Sequence, residues 1–213
     1  MNTSSNSKAL CYLAGVALLC AAPALAVNSA LGGGGQAVVP VASPATEDAP
    51  LAGINWIDHF DTYATGSQMH LQGGWKGWDN LPGAGALTSS AQARSLPNSV
   101  DVLAGTDLVH EYTGYTTGTW NYTAWQYIPT GTTGLSYFIL LNAYVDGGAT
   151  NNWSTQVSFD GGGSTVLNEG PAGGTLPIVY DQWVEIRVVI DLDLNTQTFY
   201  YGGQLLFTDS WTE

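Results

Sequence analysis

From about residue 54 to the end of the chain, short apolar and aromatic runs alternate with breaks rich in glycine and asparagine. Within the runs the apolar positions recur every second residue, the period of a strand whose two faces differ. The pattern predicts strands at Ile54–Phe60, Gly74–Trp78, Ser99–Leu103, Leu108–Thr113, Thr119–Ile128, Ser136–Val145, Ser154–Phe159, Trp183–Asp191, Thr198–Tyr201 and Gln204–Thr208. Asp146-Gly147-Gly148, Asp160-Gly161-Gly162-Gly163 and the two-residue Gly202-Gly203 loop supply turns between them. No window of a dozen residues holds a helical period without a glycine in it, and there is no internal repeat.

Parity assigns faces. In Trp183–Asp191, Val184, Ile186, Val188 and Ile190 share the core side, and Trp183, Glu185, Arg187, Val189 and Asp191 share the other, as in a half-solvated sheet. In Ser136–Val145, Tyr137, Ile139, Leu141 and Val145 lie on one side, with Phe138, Leu140, Asn142 and Tyr144 on the other. Both sides are largely apolar, which predicts a central strand.

The first 53 residues read differently. Lys8 precedes the apolar run Ala9–Ala22, Pro23 breaks it, and Ala24-Leu25-Ala26 is a small-x-small cleavage site. That order is a secretory signal peptide over residues 1–26, shorter than the ~20 apolar residues a membrane span needs. Leu19 before Cys20 departs from a lipobox, and both cysteines fall inside the signal, so the mature chain carries no thiol. Residues 27–53 hold Gly32–Gly35 with Pro40, Pro44 and Pro50 and predict a flexible linker. The expectation is a secreted protein, extracellular, periplasmic or held in the cell envelope, with one domain over residues 54–213 and no membrane insertion after cleavage.

All seventeen carboxylates follow the signal, against Lys76, Arg94 and Arg187 as the only mature cations. Such a surface repels phosphate backbones and argues against nucleic acid and anionic membranes as partners. The charge reads first as solubility and second as divalent-cation binding. For calcium the candidates are Asp146 and Asp160, each beside glycine carbonyls, although Asp-Gly is also a plain turn.

The densest aromatic segment is Trp120 to Tyr127. Aromatic rings stack on the C–H faces of sugars, and nearby amides meet sugar hydroxyls. The candidate ligand-binding residues are Trp120, Tyr122, Trp125, Gln126, Tyr127, Asn142 and Gln156. Parity places Trp120 with Tyr122 and Trp125 with Tyr127 on opposite faces, so one pair at most meets a ligand and the other packs in a core.

Catalytic patterns are sparse. Glycoside hydrolysis uses paired carboxylates, and a Glu-x-Asp-x-x-Glu strand is absent. Asp191 and Asp193 have same-face spacing but run into a turn. Glu185 and Arg187 read as a surface ion pair. His59, His70 and His110 lack metal-ligand spacing, and there is no Gly-x-Ser-x-Gly elbow. His110 and Tyr112, on one strand face, are the weak lyase-type pair.

Phe60-Asp61-x-Tyr63-x-x-Gly66, Gln72-Gly73-Gly74-Trp75-x-Gly77-Trp78, Tyr180-Asp181-x-Trp183-Val184-Glu185-Ile186-Arg187-Val188 and the Tyr200-Tyr201-Gly202-Gly203-Gln204-Leu205-Leu206 hairpin resemble segments of bacterial exported concanavalin A-like (LamG-like) jelly-roll domains. The resemblance spans about residues 54–213. It implies an all-β, two-sheet antiparallel jelly-roll β-sandwich, with a concave face for glycans and in some members a structural calcium. Such domains end on a further strand, and this sequence stops at Trp211-Thr212-Glu213 without it. The expectation is a sandwich lacking its C-terminal closing strand, with Ile54–Phe60 as an open edge. The functional expectation is a non-catalytic carbohydrate-binding or adhesion-type module whose partner is a glycan or cell-surface polysaccharide. A polysaccharide lyase or hydrolase on the same fold and a structural envelope or matrix domain are the alternatives.

Overall fold

A computed structural model describes the backbone of residues 10–14 and 17–18 and, in full, residues 56–212. The described strands, in chain order, are β1 (Leu10–Ala14), β2 (Ala17–Leu18), β3 (Trp75–Gly77), β4 (Leu87–Ser89), β5 (Ser99–Asp101), β6 (Asp107–Glu111), β7 (Thr119–Tyr127), β8 (Leu135–Ala143), β9 (Asn152–Asp160), β10 (Thr165–Asn168), β11 (Thr175–Pro177), β12 (Trp183–Asp191), β13 (Thr196–Tyr201) and β14 (Gln204–Ser210). Two single 3-10 turns, Trp78–Asn80 and Pro82–Ala84, follow β3.

The strands form two antiparallel sheets. Sheet A runs β11-β10-β9-β8-β1-β6-β3 and sheet B runs β14-β13-β12-β7-β2-β5-β4. Their inner faces pack into one core that holds Phe138, Leu140, Val157 and Phe159 from sheet A and Val184, Ile186, Val188, Phe199 and Tyr201 from sheet B. This is the all-β sandwich the alternation predicts. The ring contacts Phe138–Phe199 at 5.7 Å and Phe159–Tyr201 at 5.6 Å join the sheets across it. Truncating a phenylalanine in such a core costs about 3–5 kcal/mol.

The predicted faces of β12 hold. Val184, Ile186, Val188 and Ile190 are buried and the intervening residues are half-buried. Strand β8 is central, pairing with β9 on one side and β1 on the other.

Two predictions need correction. Ile54–Phe60 is not a strand over its described residues: Trp56–His59 is irregular and Phe60 lies in a bend. Phe60 has φ 61°, which breaks an extended run. Its ring is buried and stacks on Trp75 at 5.6 Å, so this segment packs as a plug and leaves no open strand edge. Between β8 and β6 lies β1, which pairs with both. The short strands β4, β10 and β11 have no counterpart among the predicted runs. The rest of the predicted signal and the predicted linker lie outside the described residues.

Candidate functional site

The outer face of sheet A differs from an ordinary solvated sheet. Val109, Ile139, Leu141 and Tyr144 form a second buried apolar cluster there, with Trp78, Tyr137 and Trp153 packed against it. Ile139 and Leu141 alternate with Phe138 and Leu140, which belong to the main core, so strand β8 is apolar on both sides.

Two β-bulges bring the aromatic residues to this face. Leu140 pairs with Thr155 but Leu141 with Trp153, which leaves Ser154 as an extra residue on β9. Leu141 pairs with Trp153 but Ala143 with Asn152, which leaves Asn142 extra on β8. A bulge reverses the parity of everything beyond it. Trp153 would otherwise point inward with Thr155, Val157 and Phe159, and Tyr144 would point inward with Phe138 and Leu140. Each bulge turns one ring outward.

Buried amides hold both bulges. Gln197 of β13 reaches across the core: its Nε2 donates to the Ser154 carbonyl and, at 2.9 Å, to the Ser210 carbonyl, while Thr155 Oγ1 donates to its Oε1. Asn142 is itself buried and its Nδ2 donates to the Trp211 carbonyl at 3.2 Å.

The turn after β3 completes the aromatic shelf. Trp78 stacks on Trp153 with centroids 5.7 Å apart and meets the edge of Tyr144 at 4.8 Å. The close approach at Gly77 fixes this turn, since a Cβ there would collide with the Leu81 carbonyl oxygen.

A polar network closes one end of the shelf. Lys76 Nζ lies 2.5 Å from Glu111 and 2.6 Å from Asp146. The Tyr144 hydroxyl donates to Asp146 at 2.8 Å and accepts from the Asp79 N–H at 3.0 Å. Burial opposes the charge on Lys76, but Asp146 and Glu111 outweigh it and raise its pKa. Burial also opposes ionisation of Asp146, and the bonds from Lys76 and Tyr144 prevail, holding the carboxyl below its usual range. Burial, assisted by Asp146, pushes the Tyr144 phenol up.

Among the described residues the other end is open. Tyr137, Ile139, Trp153, Gln156 and Glu169 line a shallow groove of about 360 Å³. Ser158 Oγ donates to Glu169 Oε1 at 2.5 Å, which orients that carboxylate along the groove. Among the described residues no side-chain hydrogen bond engages the Gln156 amide. The groove therefore has an apolar, ring-lined floor and polar groups at its rim.

The residues singled out from sequence do not gather in one place. Gln156 alone of them lines this groove. Trp125 and Tyr127 lie on the outer face of sheet B, Trp125 beneath the Arg94 guanidinium at 3.2 Å and Tyr127 beside Trp183 at 5.1 Å. Tyr122 packs on the core against Phe138 at 5.6 Å. Trp120 meets Tyr115 at 4.6 Å and donates its Nε1–H to the Thr117 carbonyl at 2.8 Å. Gln126 is buried, with no partner for Oε1 among the described residues. The two aromatic pairs thus sit on opposite faces, as parity requires.

For calcium, Asp146 is already engaged by an ammonium and a phenol, and Asp160 Oδ1 accepts the Gly162 N–H at 2.9 Å within its own turn. Among the described residues no three acidic, histidine or cysteine side chains gather as a metal site.

Glu185 and Arg187 form the expected ion pair at 3.3 Å, and the guanidinium covers Tyr200 at 4.1 Å. His110 and Tyr112 have ring centroids 4.5 Å apart, under Trp56. A larger hollow of about 410 Å³ lies along Trp56–Tyr63. Two carboxylates line it: Asp58 accepts from the Phe60 N–H, the Tyr63 hydroxyl and Trp75 Nε1, all within 2.9 Å, and Asp61 Oδ1 accepts from the Ser95 hydroxyl at 2.7 Å. No protein-family model matches this chain, and no curated protein or solved structure does.

Proposed function

We propose that this protein is an exported, non-catalytic carbohydrate-binding or adhesion-type module that takes its glycan on the outer face of sheet A. The observation that carries the reading is the groove of Tyr137, Ile139, Trp153, Gln156 and Glu169. A sandwich usually solvates its outer faces with polar side chains. Here two bulges spend that face on aromatic and aliphatic surface, and an apolar patch rimmed by polar groups marks a binding site. A pyranose stacks its C–H face on Trp153 or Tyr137, and its hydroxyls bond to the Gln156 amide and the Glu169 carboxylate.

The charge narrows the ligand. Lys76 is already paired with two carboxylates, and Glu169 stands at the rim. Uronic acid and sulfated polymers meet repulsion at such a site. Neutral glycans fit it.

A glycan array probed with the folded, exported protein, with and without EDTA, tests the reading. Binding to neutral glycans that survives EDTA is the expected result. Absence of signal from every glycan overturns it.

A further inference from the structure

Strand β1 is paired along both edges. Leu10 to Ala14 run opposite Leu141 to Tyr137 of β8 and opposite Glu111 to Asp107 of β6. Strand β2 does the same in sheet B, where Ala17 and Leu18 oppose Tyr127 and Gln126 of β7, and Leu18 also opposes Val100 of β5. The consequence is plain in the strand order. Without β1, sheet A splits into β11-β10-β9-β8 and β6-β3, and without β2, sheet B splits into β14-β13-β12-β7 and β5-β4.

These same residues are the apolar centre of the export signal. Cleavage after Ala26 removes them, and the facing edges of β8 and β6 then lose their partners. Those edges lie amid buried residues, Leu108, Val109, Leu140 and Leu141 among them. Unpaired backbone groups there are costly, and an open edge is a template for another strand.

Residues 27–53 are unsuited to the gap. Their longest runs free of glycine and proline are Val27–Leu31, which carries Asn28 and Ser29, and Ala45–Ala49, which carries Glu47 and Asp48, so neither offers an uninterrupted uncharged apolar strand like Leu10–Ala14. A strand paired on both edges excludes proline, and sheet A alone takes five residues at this position. The described strands from β3 onward already hold places of their own.

We propose that the slot between β8 and β6, continued between β7 and β5, is a strand-accepting site of the exported protein, and that it binds an apolar, uncharged strand of a partner polypeptide. The strand runs antiparallel to β8 and β6, as Leu10–Ala14 does. Main-chain bonds to both edges supply affinity, and alternate side chains supply specificity. The inference rests on cleavage after Ala26, and the slot shares β8 with the glycan groove, whose Tyr137 and Ile139 stand opposite Ala14 and Tyr12.

The probe is a synthetic peptide of residues 8–19, kept reduced, with Lys8 for solubility. The full chain is expressed with export, recovered and weighed intact. The mass should begin at Val27, the peptide should bind one to one, and Tm should rise by about 5 °C or more, as ligand linkage requires. The same peptide carrying Tyr12→Pro, which loses a central N–H, should bind at least about tenfold more weakly. Should the processed chain be recovered unfolded, refolding with the peptide should restore its sheet spectrum. A mass that retains residues 1–26, a Tm that ignores the peptide, a dimer that excludes it, or refolding that fails with it each overturns the proposal.

Discussion

Burial pushes the His110 imidazole down to about 4 from its ordinary 6.5, against the pull of Asp58 and Glu111 toward the charged form. Trp56, Trp75 and Tyr112 surround the ring, and Nδ1 has no hydrogen-bond partner among the described residues. In the unfolded chain His110 takes its proton first as pH falls. Stability is therefore complete above about 6.5 and declines as pH drops from there toward about 4. His110→Phe should flatten that part of the stability–pH curve, measured by urea denaturation at stepped pH and read as the difference from the parent. A difference that does not change between pH 6.5 and 4 would show that His110 is not the group responsible. The sequence marks His110 and Tyr112 as same-face neighbours. What it does not carry is the Trp56 segment that seals them off from solvent, because that contact joins residues more than fifty positions apart.

At the scale of elements, the alternation in β12 and β7 reads correctly because those strands pair without interruption along their length. Strand β8 reads correctly as far as Leu141 and then fails. The reason is the pair of bulges: parity sends Tyr144 and Trp153 inward, and one extra residue on each strand turns them outward. Nothing in the residues themselves announces a bulge. The available hint lies in polarity, since Asn142 and Ser154 are polar positions within otherwise inward- or ring-bearing runs. Asn142, a candidate ligand residue in the sequence, is buried in the structure and donates its Nδ2–H to the Trp211 carbonyl. Gln197 should matter more. Gln197→Leu leaves the Ser154 and Ser210 carbonyls and the Thr155 hydroxyl without their partner in a buried setting, at a cost of about 3 kcal/mol by the usual penalty for orphaned polar groups. Denaturation midpoints check the loss. Near-ultraviolet circular dichroism should change as well, because the Trp78–Trp153 stack depends on that bulge. A variant as stable as the parent, with its aromatic spectrum intact, would contradict this account of how the shelf is built.

For the whole molecule, the class of fold and the identity of the core were legible because they rest on a repeated local pattern. The location of the groove was not, because it depends on which strands become neighbours and on the turn at Gly77 that delivers Trp78. The aromatic density that draws the eye in the sequence belongs to β7, whose rings divide between the core and the outer face of sheet B. The site that combines an apolar floor with an open polar rim is on the opposite sheet, and only Gln156 among the expected ligand residues reaches it. The same shift applies to the edge of the sandwich. The sequence predicts an exposed edge at Ile54–Phe60, whereas the position at issue lies within the sheets, where β1 and β2 join their two parts.

The central claim is that a glycan binds sheet A and not the aromatic strip of sheet B. Calorimetric titration of the best neutral oligosaccharide from the array into the parent, Trp153→Ala and Trp125→Ala separates the two faces. Loss of the ring at Trp153 should weaken binding at least about tenfold, about 1.4 kcal/mol, and Trp125→Ala should leave the affinity within about twofold. Undiminished binding by Trp153→Ala, with the loss appearing in Trp125→Ala, would contradict the account.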